Sequence, residues 1–325
     1  MKKLIYIIII FIVLSILYYY NLSPIYTSQN VLFTVPKGKT FSYIAEKLEE
    51  KGLIKSKNFL KLIAKITGKD KNIKSGVYEI NTRMTSIEIL NLLNSGKVKM
   101  IQFTIIEGWT NEQIAEYFLD QGFIKHKNEF LDLTKDKSLL SKYQIKGITT
   151  EGFLFPETYT IDPQLKITQI HEIMIKMFFQ KLSTIVPNYQ KMDPHTIYEK
   201  VILASIIEKE AIHKEELPLM ASVYYNRLKK KMKLQADPTI QYILKDPKKK
   251  LTLKDLEIDS PYNTYKYKGL PPTPIANPGL ESLKAAFYPA NTDYLFFVRI
   301  EEGKHYFSKT YNEHLKAKNQ YWDKQ

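Results

Sequence analysis

One stretch of this sequence occurs twice. Residues 33–58 read FTVPKGKTFSYIAEKLEEKGLIKSKN, and residues 103–128, seventy positions later, read FTIIEGWTNEQIAEYFLDQGFIKHKN. Phe33/Phe103, Thr34/Thr104, Gly38/Gly108, Thr40/Thr110, Ile44-Ala45-Glu46/Ile114-Ala115-Glu116, Gly52/Gly122 and Ile54/Ile124 are identical pairs at that fixed offset. Duplication of one small unit explains them. Each copy opens with a short strand (residues 33–35, 103–106) that ends at a glycine turn, after which Thr40 or Thr110 caps a helix. Ile44, Ala45 and Leu48 give that helix its apolar stripe, and Gly52 stops it. A second helix over residues 58–66 and an alternating strand over residues 76–80 complete the first copy. Residues 152–161 fill the same strand position in the second copy, after an insertion. The pattern predicts two β-α-α-β units, each too small to bury a large core alone.

Upstream, Lys2 and Lys3 precede residues 4–20, which carry no charge. As a helix this run is about 25 Å long, slightly less than a hydrocarbon core. Lysine snorkelling and Tyr18-Tyr19-Tyr20 at the interface make up the difference. No small-x-small cleavage site follows, which favours a single-pass anchor over a cleaved signal peptide. Lysines on the short side place the N-terminus in the cytoplasm and everything from about residue 25 onward outside the inner (cytoplasmic) membrane. The absence of cysteine excludes a disulfide framework and thiolate chemistry. A formal charge of +14 suits an anionic partner such as headgroups, acidic wall polymer or nucleic acid. Lysines are scattered apart from Lys229-Lys230-Lys231 and Lys248-Lys249-Lys250, and no nucleic-acid motif accompanies them. They read as a solvated basic surface, with no nucleic-acid partner.

The chemistry concentrates downstream. Residues 201–207, Val-Ile-Leu-Ala-Ser-Ile-Ile, run uncharged into Glu208-Lys209-Glu210. Ile206 and Ile207 precede Glu210 by four and three positions, so Glu210 continues the apolar stripe of a buried helix. A carboxylate there costs free energy unless it is paired, protonated or used. It is either a helix end turning to solvent or a catalytic acid. Glu208 and Glu210 project about 200° apart, so only one readily faces a cleft. Both are catalytic candidates; the stripe favours Glu210 as the acid/base over Glu208, which otherwise partners Arg227 or a backbone group. Asp237-Pro238-Thr239 has the form of a helix N-terminus, with Asp237 capping. Gln235 can hydrogen-bond a sugar substituent or stand as a plain loop residue. Five of the fifteen prolines fall between positions 261 and 278, around Ser260-Pro261-Tyr262-Asn263-Thr264-Tyr265, which makes a rigid loop. Tyr262, Asn263 and Tyr265 on such a loop suit a carbohydrate cleft, with rings on sugar faces and the amide on acetamido groups. A short helix over residues 281–286 and a closing hairpin over residues 294–299 and 305–308 follow. None of the six histidines sits at metal-ligand spacing, and no cofactor motif occurs, so neither metal nor cofactor is expected.

EGFLFPETY (151–159), LASIIEKEA (203–211), ASVYYNRL (221–228), LQADPTIQY (234–242), SPYNTY (260–265) and GLPPTPIANPG (269–279) occur in this order. Together they closely resemble the YceG-like family of endolytic murein transglycosylases, from about residue 30 onward and with the anchor. The resemblance implies an α+β fold: a tail (1–3), a transmembrane anchor (4–22), a membrane-proximal domain (30–100) and a catalytic region (101–325); in layout the membrane-proximal unit resembles the LysM-like domain, whose relatives bind N-acetylated glycans, and it either binds glycan or serves as a spacer. Within that region the second repeat unit spans about 101–162 and a lysozyme-like core about 163–325. It implies one glutamate as acid/base; the candidates for holding the glycan, read from the residues themselves, are Gln235, Asp237, Tyr262, Asn263 and Tyr265. Wider lytic transglycosylases carry Glu-Ser at the helix end, where this chain has Glu210-Ala211. The implied reaction cleaves the MurNAc-β-1,4-GlcNAc bond of peptidoglycan with 1,6-anhydro ends, terminating nascent strands. Implied partners are glycan strands, the membrane, and peptidoglycan synthases or divisome proteins. Two rivals stand beside it: a hydrolase pairing Glu210 with Asp237, and a non-enzymatic wall-binding scaffold.

Overall fold

The computed structural model describes residues 2–22, 28–210, 212–244, 248, 250–300 and 303–322. Ala211 and Lys249, named above, and the first residue of the tail, Met1, lie outside the described residues. The architecture is mixed α and β, in two compact units: Met1–Phe103 with Tyr159–Leu165, and Thr104–Thr158 with Lys166–Gln325.

The first unit begins with α1 (Lys2–Leu22), among the described residues the one helix long and apolar enough to cross a membrane. β1 (Asn30–Val35), α2 (Phe41–Glu50), α3 (Lys57–Ile66), β2 (Gly76–Asn81), α4 (Ser86–Ser95) and β3 (Ile101–Thr104) follow. β1 and β2 pair antiparallel, from Asn30 opposite Asn81 to Val35 opposite Gly76. Alternation buries Phe33 and Val35, which pack with Ile44, Leu48, Leu60, Tyr78 and Ile80. Thr40 caps α2 by accepting from the Tyr43 amide at 3.4 Å, and Gly52 takes the left-handed conformation (φ 65°) that ends the helix turn. Ile89 and Leu93 of α4, a helix absent from the sequence reading, close the same core.

In the second unit α5 (Asn111–Asp120) repeats α2, with Thr110 and Gln113 forming a reciprocal capping box. The second helix of this copy departs from the first. It is split into α6 (Asn128–Leu131) and α7 (Lys137–Lys142), because Asp136 accepts from the Ser138 and Leu139 amides and starts a new helix. The chain then returns to the first unit, where β4 (Thr158–Ile161) pairs with β3. Then come α8 (Ile167–Ile185), α9 (Pro194–Glu210), α10 (Leu217–Lys229), α11 (Asp237–Leu244), α12 (Leu280–Phe287), β5 (Phe296–Arg299), β6 (His305–Ser308) and α13 (Tyr311–Trp322). Residues 201–207 of α9 are all buried, as their uninterrupted apolarity requires, and α9 packs on α10, α11 and α12. The β5–β6 hairpin pairs Phe296 with Ser308 and Arg299 with His305.

Candidate active site

Burying residues 201–207 commits the last turn of α9 to the interior, and Glu210 arrives there half-buried. Its Oε1 accepts a hydrogen bond from the Tyr224 hydroxyl at 2.9 Å. Tyr224 and Arg227 share a face of α10, being three residues apart. Arg227 is only 8% exposed, yet its guanidinium serves backbone: Nε donates to the Leu295 carbonyl at 2.7 Å and Nη1 to the Leu234 carbonyl at 2.6 Å. It also lies 5.2 Å over the Phe296 ring. Burial pushes the Glu210 carboxyl up to about 7, against the Tyr224 hydrogen bond, with the charge of Asp237 adding to the rise and Arg227 opposing it. Asp237, where α11 begins, is exposed and accepts from the Tyr265 hydroxyl. Glu210, Tyr224, Asp237 and Tyr265 therefore form one electrostatic cluster. Its central carboxyl is poised between its two protonation states near neutral pH.

Glu208 goes elsewhere. Of the two partners considered for it, the structure supplies the backbone group. Oε2 accepts from the Gly279 amide at 2.9 Å, at the N-terminus of α12, and Ser282 adds a side-chain hydrogen bond. There the carboxylate satisfies a donor that a helix start leaves open and faces the favourable end of the helix dipole. Burial raises its carboxyl as well. A cavity of about 150 Å³ beside it is lined by Glu107, Glu208, His213, Glu281 and Ser282, among others. Tyr224 and Arg227 are not among that lining, so the two glutamates occupy different surroundings.

Three sequence motifs are joined by buried side chains. The Asn277 side chain is wholly buried; Oδ1 accepts from the Gly152 and Leu154 amides at 2.9 and 3.0 Å, and Nδ2 donates to the Trp109 carbonyl at 2.9 Å. Glu151 grips the start of α5, both oxygens accepting from the Asn111 amide at 2.9 and 3.2 Å. Burial lifts its carboxyl to about 8. The Ser205 hydroxyl of α9 accepts from the Ile275 amide at 3.0 Å. The proline-rich loop, the EGFLF segment and α9 are thereby fixed to one another.

The sequence-derived candidates separate into groups. Gln235 is exposed, holds φ 51°, a rare backbone state for a non-glycine residue, and donates its amide to the Thr264 carbonyl at 3.1 Å. That bond joins it to the loop carrying Tyr265. Tyr262 is half-buried, its hydroxyl 2.7 Å from Thr273 Oγ1 and its ring 5.1 Å from Tyr242. Asn263 has another task than reading acetamido groups. It is 0% exposed, Nδ2 donates to the Leu256 and Ile258 carbonyls, and Oδ1 accepts from the Tyr265 and Lys266 amides. Every hydrogen-bonding position of its amide is used inside the loop. Tyr224, Glu151 and Asn277 were not singled out from the sequence, although all three lie within the quoted motifs.

A family model described as the YceG-like family matches residues 33–320. The endolytic murein transglycosylase of Bacillus subtilis (strain 168) is 38% identical over 309 residues, covering 90% of this chain and 84% of that protein. That of Streptococcus pneumoniae serotype 2 is 30% identical over 329 residues, covering 90% of this chain but 59% of the streptococcal protein. A 2.6 Å crystal structure of a YceG-like protein from Listeria monocytogenes matches with a TM-score of 0.60 at 36% identity, over 90% of this chain and 100% of that one. With a match that runs through both copies of the repeat and every element around Glu210, this chain belongs to the YceG-like family.

Proposed function

We propose that this chain is a membrane-anchored endolytic murein transglycosylase whose acid/base is Glu210. One observation carries the reading: a carboxyl at the end of a buried helix, pushed up to about 7 and held by a single neutral hydroxyl. Protonated Glu210 gives its proton to the oxygen linking MurNAc C1 to GlcNAc C4, and the C1–O bond breaks. The acetamide of the muramic sugar stabilises the cation at C1, so no carboxylate nucleophile is needed. Glu210, now a carboxylate, takes the proton from the C6 hydroxyl as its oxygen bonds to C1 and closes the 1,6-anhydro ring. The bond from Tyr224 to Oε1 fixes the carboxyl rotation and leaves Oε2 for the substrate. Gln235, Asp237 and Tyr265 hold the glycan, while Tyr262 and Asn263 stiffen the loop that presents them. Glu208 is structural.

The same reading keeps α1 as a single-pass anchor with a cytoplasmic N-terminus, residues 30–100 as a LysM-like spacer, and a lysozyme-like cleft within residues 101–325. Anchored there, the enzyme terminates nascent strands beside peptidoglycan synthases or divisome proteins. The proximity of Asp237 to Glu210 favours a second reading, a two-carboxylate hydrolase. End-group analysis of digested strands separates them. Release of 1,6-anhydro termini supports the transglycosylase, and new reducing ends would establish the hydrolase in its place.

A further inference from the structure

We propose that α3 lies in the outer headgroup layer of the same bilayer that α1 spans, so that the membrane-proximal unit is seated on the membrane as well as tethered to it. The proposal rests on reading α1 as an anchor. α3 reads KNFLKLIAKI, with three lysines and no acidic residue. Leu60 and Ala64 face the core, but Leu62 and Ile66 are 57% and 72% exposed. Leu62, Ile66 and half-buried Phe59 fall within an arc of about 60° at 100° per residue, its middle about 150° around the helix from Leu60 and Ala64. Lys65 lies about 60° beyond Leu62 on the other flank, where its stem can follow the apolar arc while the ammonium reaches a headgroup phosphate.

The position of the arc identifies its occupant. Phe59 packs edge-on against Tyr18 of α1, with ring centroids 5.8 Å apart. Lys55 donates to the Tyr20 carbonyl at 3.2 Å and stands 4.4 Å over the Tyr20 ring. Tyr18–Tyr20 is an aromatic cluster at the membrane–water boundary of α1. The exposed arc of α3 starts at that cluster, and its cationic flank complements anionic lipid. Outside α1, the large exposed apolar side chains of this unit among the described residues are Leu32, Leu62, Ile66 and Met100, so two of four are on α3. A short basic amphipathic helix with this layout is suited to lie in the interface plane.

The chain has no cysteine, so single Ser15→Cys, Glu50→Cys, Leu62→Cys and Ile66→Cys variants of the full chain can each carry one spin label. Reconstituted into phosphatidylcholine–phosphatidylglycerol vesicles, each is read by its accessibility to oxygen against a water-soluble nickel chelate. Labels at positions 62 and 66 are expected to show an oxygen-to-nickel ratio several-fold above that at position 50, and below that at position 15. Lipid exposure at position 15 with ratios at 62 and 66 equal to that at 50 overturns the seating of α3 and leaves the anchor standing. Water exposure at position 15 overturns both. Protection from both reagents at 62 and 66 marks a protein contact, and equally overturns the proposal.

Discussion

Replacing Tyr224 by phenylalanine removes one hydroxyl and little else. The residue is buried, and its ring keeps the edge-on contact with Phe297 at 5.8 Å. What is lost is the 2.9 Å hydrogen bond to Glu210 Oε1. Such a bond contributes about 1.5–3 kcal/mol to an ionised acceptor and about 0.5–1.5 kcal/mol to a neutral one. The difference, about 1–1.5 kcal/mol, corresponds to about one pKa unit. The bond favours the ionised carboxyl, so its removal raises Glu210 further. A general acid works in its protonated form, so the alkaline limb of kcat/KM follows this group. In Tyr224→Phe that limb should move up by about one pH unit. Asp237→Asn removes a like charge and should move it down. The assay is the pH profile of kcat/KM on purified uncrosslinked strands, with thermal unfolding as the folding control. A limb that stays in place in both folded variants, or moves in the reverse directions, refutes the assignment of Glu210 as acid.

Other consequences concern the scaffold. Glu208→Gln keeps an oxygen for the Gly279 amide but loses the charge at the start of α12. It should cost about 0.5–2 kcal/mol in denaturant unfolding while activity stays within about tenfold. Gly152 has φ 85°, and a Cβ there would meet Pro274 Cβ at 2.6 Å and Val201 Cγ1 at 2.8 Å. Gly152→Ala should therefore lose about 2–4 kcal/mol, read as a drop in denaturation midpoint. Glu151, raised from 4.5 to about 8, binds its proton more tightly folded than unfolded, so its contribution is full below pH 4.5 and lost as pH rises to about 8. That loss amounts to about 5 kcal/mol. Thermal unfolding from about pH 5 to about pH 9 should show wild type falling more steeply than Glu151→Gln; parallel slopes would contradict this role for Glu151.

Much of this was legible in the chain, for reasons that differ by element. The repeat exposed β1, α2 and α5 because identical residues recur with their caps. α9 was legible because seven uncharged residues in a row, positions 201–207, have nowhere to go but inside. α4 too carries a local signal in the sequence, the Thr85–Glu88 capping box. Asn263 misled because its residue type suits sugar recognition. Its bond to the Tyr265 amide, two residues on, is the local turn that Asn favours, and it consumes the group. Tyr224 could not be found by periodicity. Its register against Glu210 depends on how α9 and α10 pack, which no local pattern encodes. Asn277 likewise joins segments more than a hundred residues apart in sequence.

The most direct measurement is a parallel digest of purified glycan strands by wild type, Glu210→Gln and Glu208→Gln, with the released ends identified by mass spectrometry. With Glu210 as acid/base, wild type and Glu208→Gln both release 1,6-anhydro ends, and Glu210→Gln is slower by about a hundredfold or more. An active Glu210→Gln beside an inactive, folded Glu208→Gln would contradict this and assign the acid/base to Glu208.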